Sequence, residues 1–194
     1  MNIISANYVT SFNDIRNFDI EPLPSIAFIG RSNVGKSSLM NHLLDRKSLV
    51  KTSSTPGKTQ TINYFLINGF FYFVDLPGYG FTHAPVSVKK SWRQMIEAFL
   101  EKKPFLQLIV QLVDIRHEPS KEDIVFQQLL KVNQIPNILV ANKADKLKKS
   151  QFDRQIKLII KTLELTTPPV IHSASKKIGR EELINKIAPF VQSG

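Results

Sequence analysis

Residues 25–38 read SIAFI-GRSNVGKSS and constrain this chain more than any other stretch of it. A short apolar run bounded by glycine is a strand buried on both faces. KSSLMNHLL, which begins inside the same stretch, continues as a helix. Between them Gly30 and Gly35 enclose Arg31, Ser32, Asn33 and Val34, and Lys36, Ser37 and Ser38 follow. Glycine lets a backbone wrap closely around a ligand without Cβ clashes. The N–H groups of such a loop point inward, and the helix N-terminus adds positive potential. Lys36 supplies a cation that reaches the outer phosphates, and the Ser37 hydroxyl is a hard oxygen suited to Mg²⁺. Residues 30–38 therefore point to a bound polyphosphate.

Strands and helices alternate after this unit. TINYFLI (61–67) and FFYFVDL (70–76) flank Asn68-Gly69, a hairpin signal. Residues 87–102 predict a helix with Ser87 as N-cap and Val88, Trp92, Met95, Ile96 and Phe99 on one face. FLQLIVQLVD (105–114) is a nearly continuous apolar strand. A helix (about 120–133), the strand PNILVAN (136–142), a helix (about 150–163), the strand PVIHSAS (169–175) and a last helix from about 180 complete the pattern. This predicts an α/β fold: a mostly parallel six-stranded sheet with one antiparallel strand from the hairpin, helices on both faces, and the ligand at the carboxyl ends of the strands. No repeat or linker divides the chain, so 1–194 is expected to be a single domain, with 1–20 an N-terminal extension packed on the core or leading into it.

Bulk properties narrow the class. There are no cysteines, which excludes disulfides and cysteine-ligated zinc and fits a reducing compartment. MNIISANYVT has no basic segment leading into a long apolar one, and the longest apolar run is too short for a bilayer. A cytoplasmic protein with no membrane partner is expected. The formal net charge is +10, which favours encounter with polyanions, RNA foremost.

Two further segments complete a nucleotide site. Asn142-Lys143-Ala144-Asp145 follows an apolar strand, where a base would lie. A carboxylate at 145 accepts hydrogen bonds from guanine N1–H and its 2-amino group. Adenine offers neither, so the buried carboxylate would stay unpaired. The Lys143 stem can cover a base face, and Ser173-Ala174-Ser175 can offer a backbone N–H to guanine O6. Asp75-Leu76-Pro77-Gly78 ends a strand: Asp75 can hold Mg²⁺ through a water and the Gly78 N–H can contact a γ-phosphate. KTSSTPGKTQT (51–61) reads as a mobile loop. One of its threonines, Thr59 by choice, could join Mg²⁺ when a γ-phosphate is present, with Gly57, Lys58, Gln60 and Thr61 beside the nucleotide.

Taken in order, Gly30–Ser37, Thr59, Asp75–Gly78, Asn142–Asp145 and Ser173–Ser175 resemble the five sequence motifs of translation-factor-type GTPases. GRSNVGKSS, TSSTPGKTQTIN, FVDLPGYGF, the Trp92 helix, LVDIRH and NKADKL are similar, more narrowly, to the EngB/YsxC (YihA) family of bacterial GTPases, from about residue 20 to the C-terminus. The resemblance implies a monomeric, Mg²⁺-dependent factor that binds GTP and GDP in large ribosomal subunit assembly, with ribosomal RNA as partner. It also implies a role in cell division and septation. Ser37, Thr59 and Asp75 are then the candidate metal ligands, and Lys36, Thr59, Gly78 and Asn33 the candidate catalytic groups.

Many small GTPases orient the attacking water with glutamine directly after the glycine of this motif. Tyr79 stands there and lacks the paired donor and acceptor of an amide, so slow intrinsic turnover, raised by a partner's group, is expected. Asn33 is open to two readings: a holder of K⁺ near the β- and γ-phosphates, as in similar glutamine-lacking GTPases, or a polar loop residue. His83 stands near the position where the family usually carries lysine. Lys146, Lys148, Lys149, Lys176, Lys177 and Arg180 are candidates for one basic patch at the base end, and Asp114, Arg116 and His117 for either a partner loop or an ion pair. Two competing functions remain at this level: a GTP-gated RNA- or ribosome-binding module with incidental hydrolysis, and an ATP-dependent phosphotransferase, against which NKAD argues.

Overall fold

The structure is a computed structural model that describes residues 1–13, 20–50, 61–80, 85–101 and 105–191. Strand and helix alternate as β1 (Ala6–Phe12), β2 (Ser25–Gly30), α1 (Lys36–Leu44), β3 (Ile62–Ile67), β4 (Phe71–Asp75), α2 (Val86–Glu101), β5 (Leu106–Asp114), α3 (Lys121–Val132), β6 (Asn137–Asn142), α4 (Phe152–Thr162), β7 (Val170–Ile171) and α5 (Arg180–Ile187). The strands form one sheet in the order β1-β3-β4-β2-β5-β6-β7.

The sheet has seven strands, not six. β1 arises within the segment expected to be an extension and pairs antiparallel with β3, from Ala6 opposite Ile67 to Phe12 opposite Ile62. Its register shifts between Tyr8 and Thr10, leaving Val9 as an extra residue, a β-bulge. β3 also pairs antiparallel with β4, so β3 alone runs against the other six strands, as the hairpin implied. Asn68 and Gly69 both have positive φ (52° and 79°), and the ladder closes at Ile67 opposite Phe71.

Both faces of β2 are covered, and its side chains divide by parity. Ile26 and Phe28 join the core under α1 and α5, with Leu39, Met40, Leu43, Leu183 and Ile187. Ala27 and Ile29 join the core under α2 and α3, with Ile96, Phe99, Phe126 and Leu130. A third cluster seats α4 through Ile159 and Leu163 on Val113, Leu139 and Ala141. Burying a side chain the size of Phe28 contributes about 1.5–3 kcal/mol, so this central strand fixes the position of the loop that leaves it. α2 begins at Val86, and the Pro85 carbonyl accepts from Val88 and Lys89. Ser87 therefore lies inside the first turn rather than capping it. The true side-chain cap belongs to α3: Ser120 and Asp123 form a reciprocal capping box.

Candidate functional site

The loop from β2 into α1 lies where β2, β5 and β6 end. Gly30 and Gly35 are required there by the protein's own packing. A Cβ on Gly30 would stand 2.8 Å from the Leu112 carbonyl oxygen of β5. Gly35 has φ +97° and caps α1, and a Cβ on it would stand 2.6 Å from Asn142 Nδ2. Asn33 also takes positive φ (66°), which asparagine tolerates best after glycine. At the start of α1 the Lys36 ammonium forms an ion pair with the Asp75 carboxylate, and Asn63 Nδ2 donates to the other Asp75 oxygen at 3.3 Å. Ser37 and Ser38 follow Lys36 in the chain, and Thr61 Oγ1 donates to Asn63 Oδ1 at 3.0 Å.

Asn142, Lys143, Ala144 and Asp145 come together with this loop across more than 100 residues of sequence. Asn142 is buried and donates from Nδ2 to the Val34 carbonyl at 2.9 Å and, more weakly, to that of Gly35 at 3.5 Å. Lys143 adopts positive φ (64°), and its ammonium donates to the Asn33 carbonyl at 2.6 Å. The same ammonium lies 3.0 Å from Asp114, which also takes a two-pronged contact from Arg116. Asp114, Arg116 and Lys143 thus form a structural ion network, and Arg116 and Lys143 hold the Asp114 carboxyl well below the usual carboxylate range against the opposing effect of burial. Ala144 N donates to the His172 carbonyl, which ties the NKAD turn to the end of β7. Asp145 accepts from Ser173 Oγ at 2.7 Å. That bond lowers its pKa and keeps it an ionised acceptor at neutral pH. Ser175 Oγ lies 3.1 Å from Ser173 Oγ, and Ala174 sits between them.

Leu76, Pro77 and Gly78 lead away from Asp75 beside the phosphate loop. Ser32 N donates to the Tyr79 carbonyl at 2.8 Å, and Tyr79 N donates to the Gly30 carbonyl at 3.2 Å. The Tyr79 ring turns the other way. It is 3% exposed, lies between Trp92 and Phe126, and donates to Asp123 Oδ1 at 2.6 Å while accepting from Gln111 Nε2. Burial pushes the phenol's pKa well up. Trp92 donates from Nε1 to the Pro77 carbonyl. Sequence reasoning put Tyr79 at the motif position of the usual glutamine and expected it not to replace that amide. Its hydroxyl instead meets buried partners on α3 and β5, and Gln111, a polar residue within an apolar strand, was the available signal.

Thr59, Gly57, Lys58, Gln60 and His83 lie outside the described residues. Of the expected basic patch, Lys146, Lys148, Lys149, Lys176 and Lys177 are exposed. Arg180 leaves it: its guanidinium donates to the His42 and Leu43 carbonyls at the end of α1 and serves the fold. His117 is exposed, and its carbonyl accepts from Gln155.

A phosphate loop on the central strand, a guanine-type NKAD turn stitched to it and an acidic strand end paired with the loop lysine together define a P-loop GTPase. Residues 25–143 match the family described as 50S ribosome-binding GTPase. "Probable GTP-binding protein EngB" of Syntrophomonas wolfei is 48% identical over 92% of each chain. The protein so described in Geobacter metallireducens is 44% identical over all of this chain and 96% of its own. A crystal structure described as a probable GTP-binding protein EngB superposes with a TM-score of 0.72 at 27% identity, over 87% of this chain and 98% of that one. Era of Aquifex aeolicus bound to GDP·AlF4⁻ follows at 0.67 and 25%, over 90% and 58%. This chain belongs to the EngB family of GTP-binding proteins. No helix among the described residues is long and apolar enough to cross a membrane.

Proposed function

We propose that this GTPase is a Mg²⁺-dependent switch in assembly of the large ribosomal subunit, folded as a single domain, monomeric and cytoplasmic. Exposed lysines beside the guanine end of the site carry the proposal, in a chain of charge +10 whose family description names the 50S ribosome. Phosphate contacts by these lysines make RNA binding fall steeply with salt, the slope of log K against log salt losing about 0.7–0.9 for each lysine removed. The cell-division and septation role is part of the same proposal and rests on family resemblance.

The site residues act as follows. Asp145 pairs with guanine N1–H and the 2-amino group, and the Lys143 stem, pinned between Asn33 and Asp114, covers the base. Gly30–Ser38 wrap the phosphates. Lys36 exchanges Asp75 for phosphate oxygen and offsets charge on the outer phosphates. Ser37, Thr59 and Asp75 offer the hard oxygens that suit Mg²⁺, which supplies further charge neutralisation. The Gly78 N–H would contact the γ-phosphate, and Gly57, Lys58, Gln60 and Thr61 are assigned beside the nucleotide by the family resemblance. Tyr79, turned into the core, leaves the attacking water without an orienting side chain, so intrinsic turnover is slow. A group from the partner, or K⁺ held near Asn33, raises it.

The test is GTP hydrolysis by the purified chain, alone and with large ribosomal subunits, in potassium and in sodium. Slow turnover that rises sharply with subunits is the expected result, and a rise with potassium alone assigns the effect to Asn33. GTP-dependent subunit binding with no rise under any condition would replace the switch with a binding module.

A further inference from the structure

Behind Asn142 lies a line of side chains that nucleotide contact does not use. His172 follows β7, is 0% exposed, and places Nδ1 2.8 Å from Asn142 Oδ1. Its Nε2 stands 2.9 Å from His42 Nδ1 on α1, the two rings 5.1 Å apart. Its backbone is fixed at both ends, N–H to the Ala141 carbonyl and carbonyl to Ala144 N–H.

The hydrogens along this line are determined by two carbonyls. Val34 and Gly35 present acceptors to Asn142, so the amide nitrogen must face them and Oδ1 must face His172. Oδ1 needs a donor, so His172 carries its hydrogen on Nδ1. Nε2 is then a lone pair, and His42 must donate to it from Nδ1. A hydrogen on both His172 nitrogens would require His42 Nδ1 to give up its own hydrogen and accept instead, in keeping with a His172 pKa pushed down to about 4 by burial and then by His42.

We propose that His172 is a positioning residue for guanine nucleotide. Its Nδ1–H satisfies the Asn142 Oδ1 that the Val34 and Gly35 carbonyls turn toward it, so that base turn and phosphate loop are joined before nucleotide arrives, and His42 satisfies the His172 Nε2 lone pair. The inference rests on the reading that Asn142 links the two halves of the nucleotide site. Without the Nδ1–H, a buried oxygen either loses its His172 partner or rotates against the Val34 carbonyl, and binding must then order the loop. Affinity suffers, while turnover at saturation does not.

The experiment compares fluorescent-GDP affinity, kcat and KM for GTP, thermal denaturation and imidazole ¹⁵N shifts in the full chain. Wild-type binding that Lys36→Ala abolishes secures the underlying site; its failure would fault that site and not the histidine. His172→Leu is expected to weaken GDP binding roughly 10-fold or more, with kcat within about twofold. His172→Asn, whose amide N–H falls where Nδ1–H stood, recovers most of the affinity. The wild-type His172 signal reads as the neutral Nδ1–H tautomer. A folded His172→Leu with wild-type affinity overturns the proposal, as does a folded His172→Asn no better than Leu, or an Nε2–H tautomer. If His172→Leu does not fold, the tautomer and the Asn variant decide: a folded His172→Asn with GDP affinity near wild type supports the proposal, and one weakened roughly 10-fold or more overturns it.

Discussion

The two flanks of the phosphate loop are held by different chemistry. On the β6–β7 side, polar side chains reach across: Asn142 to Val34, Lys143 to Asn33, His172 behind Asn142. On the β4 side, backbone groups of Tyr79 meet Gly30 and Ser32, and the side chains of Tyr79 and Trp92 anchor the segment outward, into α2 and α3. The first flank is cross-braced by charged and amide groups from distant strands and suits a face that presents one fixed shape. The second touches the loop through two backbone hydrogen bonds, each with a net contribution of about 1 kcal/mol, and the Lys36–Asp75 ion pair, and its anchors Tyr79 and Trp92 reach α3 and α2.

Breaking the braced flank should cost most. Gly35→Ala forces a side chain into a left-handed conformation and against Asn142 Nδ2, and GDP affinity is expected to fall about 100-fold or more, read by fluorescent-nucleotide titration. Acid attacks the same flank. His172 has its pKa lowered from 6.5 to about 4, so the unfolded chain binds the proton more tightly than the folded one. Its contribution is whole above pH ~6.5 and is lost as pH falls to ~4, on the order of 3 kcal/mol, and urea midpoints across that range should fall less steeply in His172→Asn. His42, whose pKa burial and Arg180 also lower despite nearby Asp45, adds to the loss in the same direction.

The other flank yields smaller effects. Tyr79→Phe strips the buried Asp123 oxygen and Gln111 of a partner and is expected to cost about 1–3 kcal/mol in denaturant unfolding. GTP turnover should stay within about twofold, whereas a large fall in kcat would return Tyr79 to the reacting water. Trp92→Phe removes one hydrogen bond to Pro77 and should cost about 1 kcal/mol. As the only tryptophan, Trp92 should change its emission between GDP and a non-hydrolysable GTP analogue, and equal spectra would mean that both flanks are fixed.

Which parts of this were legible follows from the range of the interactions. Apolar runs and the glycine-lysine-serine spacing are local, and they predicted the parallel sheet, the hairpin and the meeting of residues 30–38 with 142–145 at one sheet edge. The bracing of Asn142 by His172 joins residues 30 apart, and that of His172 by His42 joins residues 130 apart; no short pattern encodes either. The direction of Tyr79 was not legible because a motif position gives none, and its ring obeys the packing of Trp92, Phe126 and Asp123. Arg180 misled, since a basic residue near a basic loop was needed instead to satisfy the last carbonyls of α1. β1 was missed because ANYVTSF mixes polar and apolar residues: it covers an edge, with Tyr8 and Val9 still largely exposed, rather than filling the core.

That edge strand governs how molecules of this protein meet one another. β3 has a complete ladder on its β4 side, and without β1 its other side would offer a row of open N–H and C=O groups to any passing strand. β1 occupies that side, and its bulge at Val9 spoils the regular spacing that a further strand would need in order to add to the sheet. The first dozen residues thus act as a colloidal safeguard, and their removal is a route to insolubility in a chain whose nucleotide site would otherwise be intact.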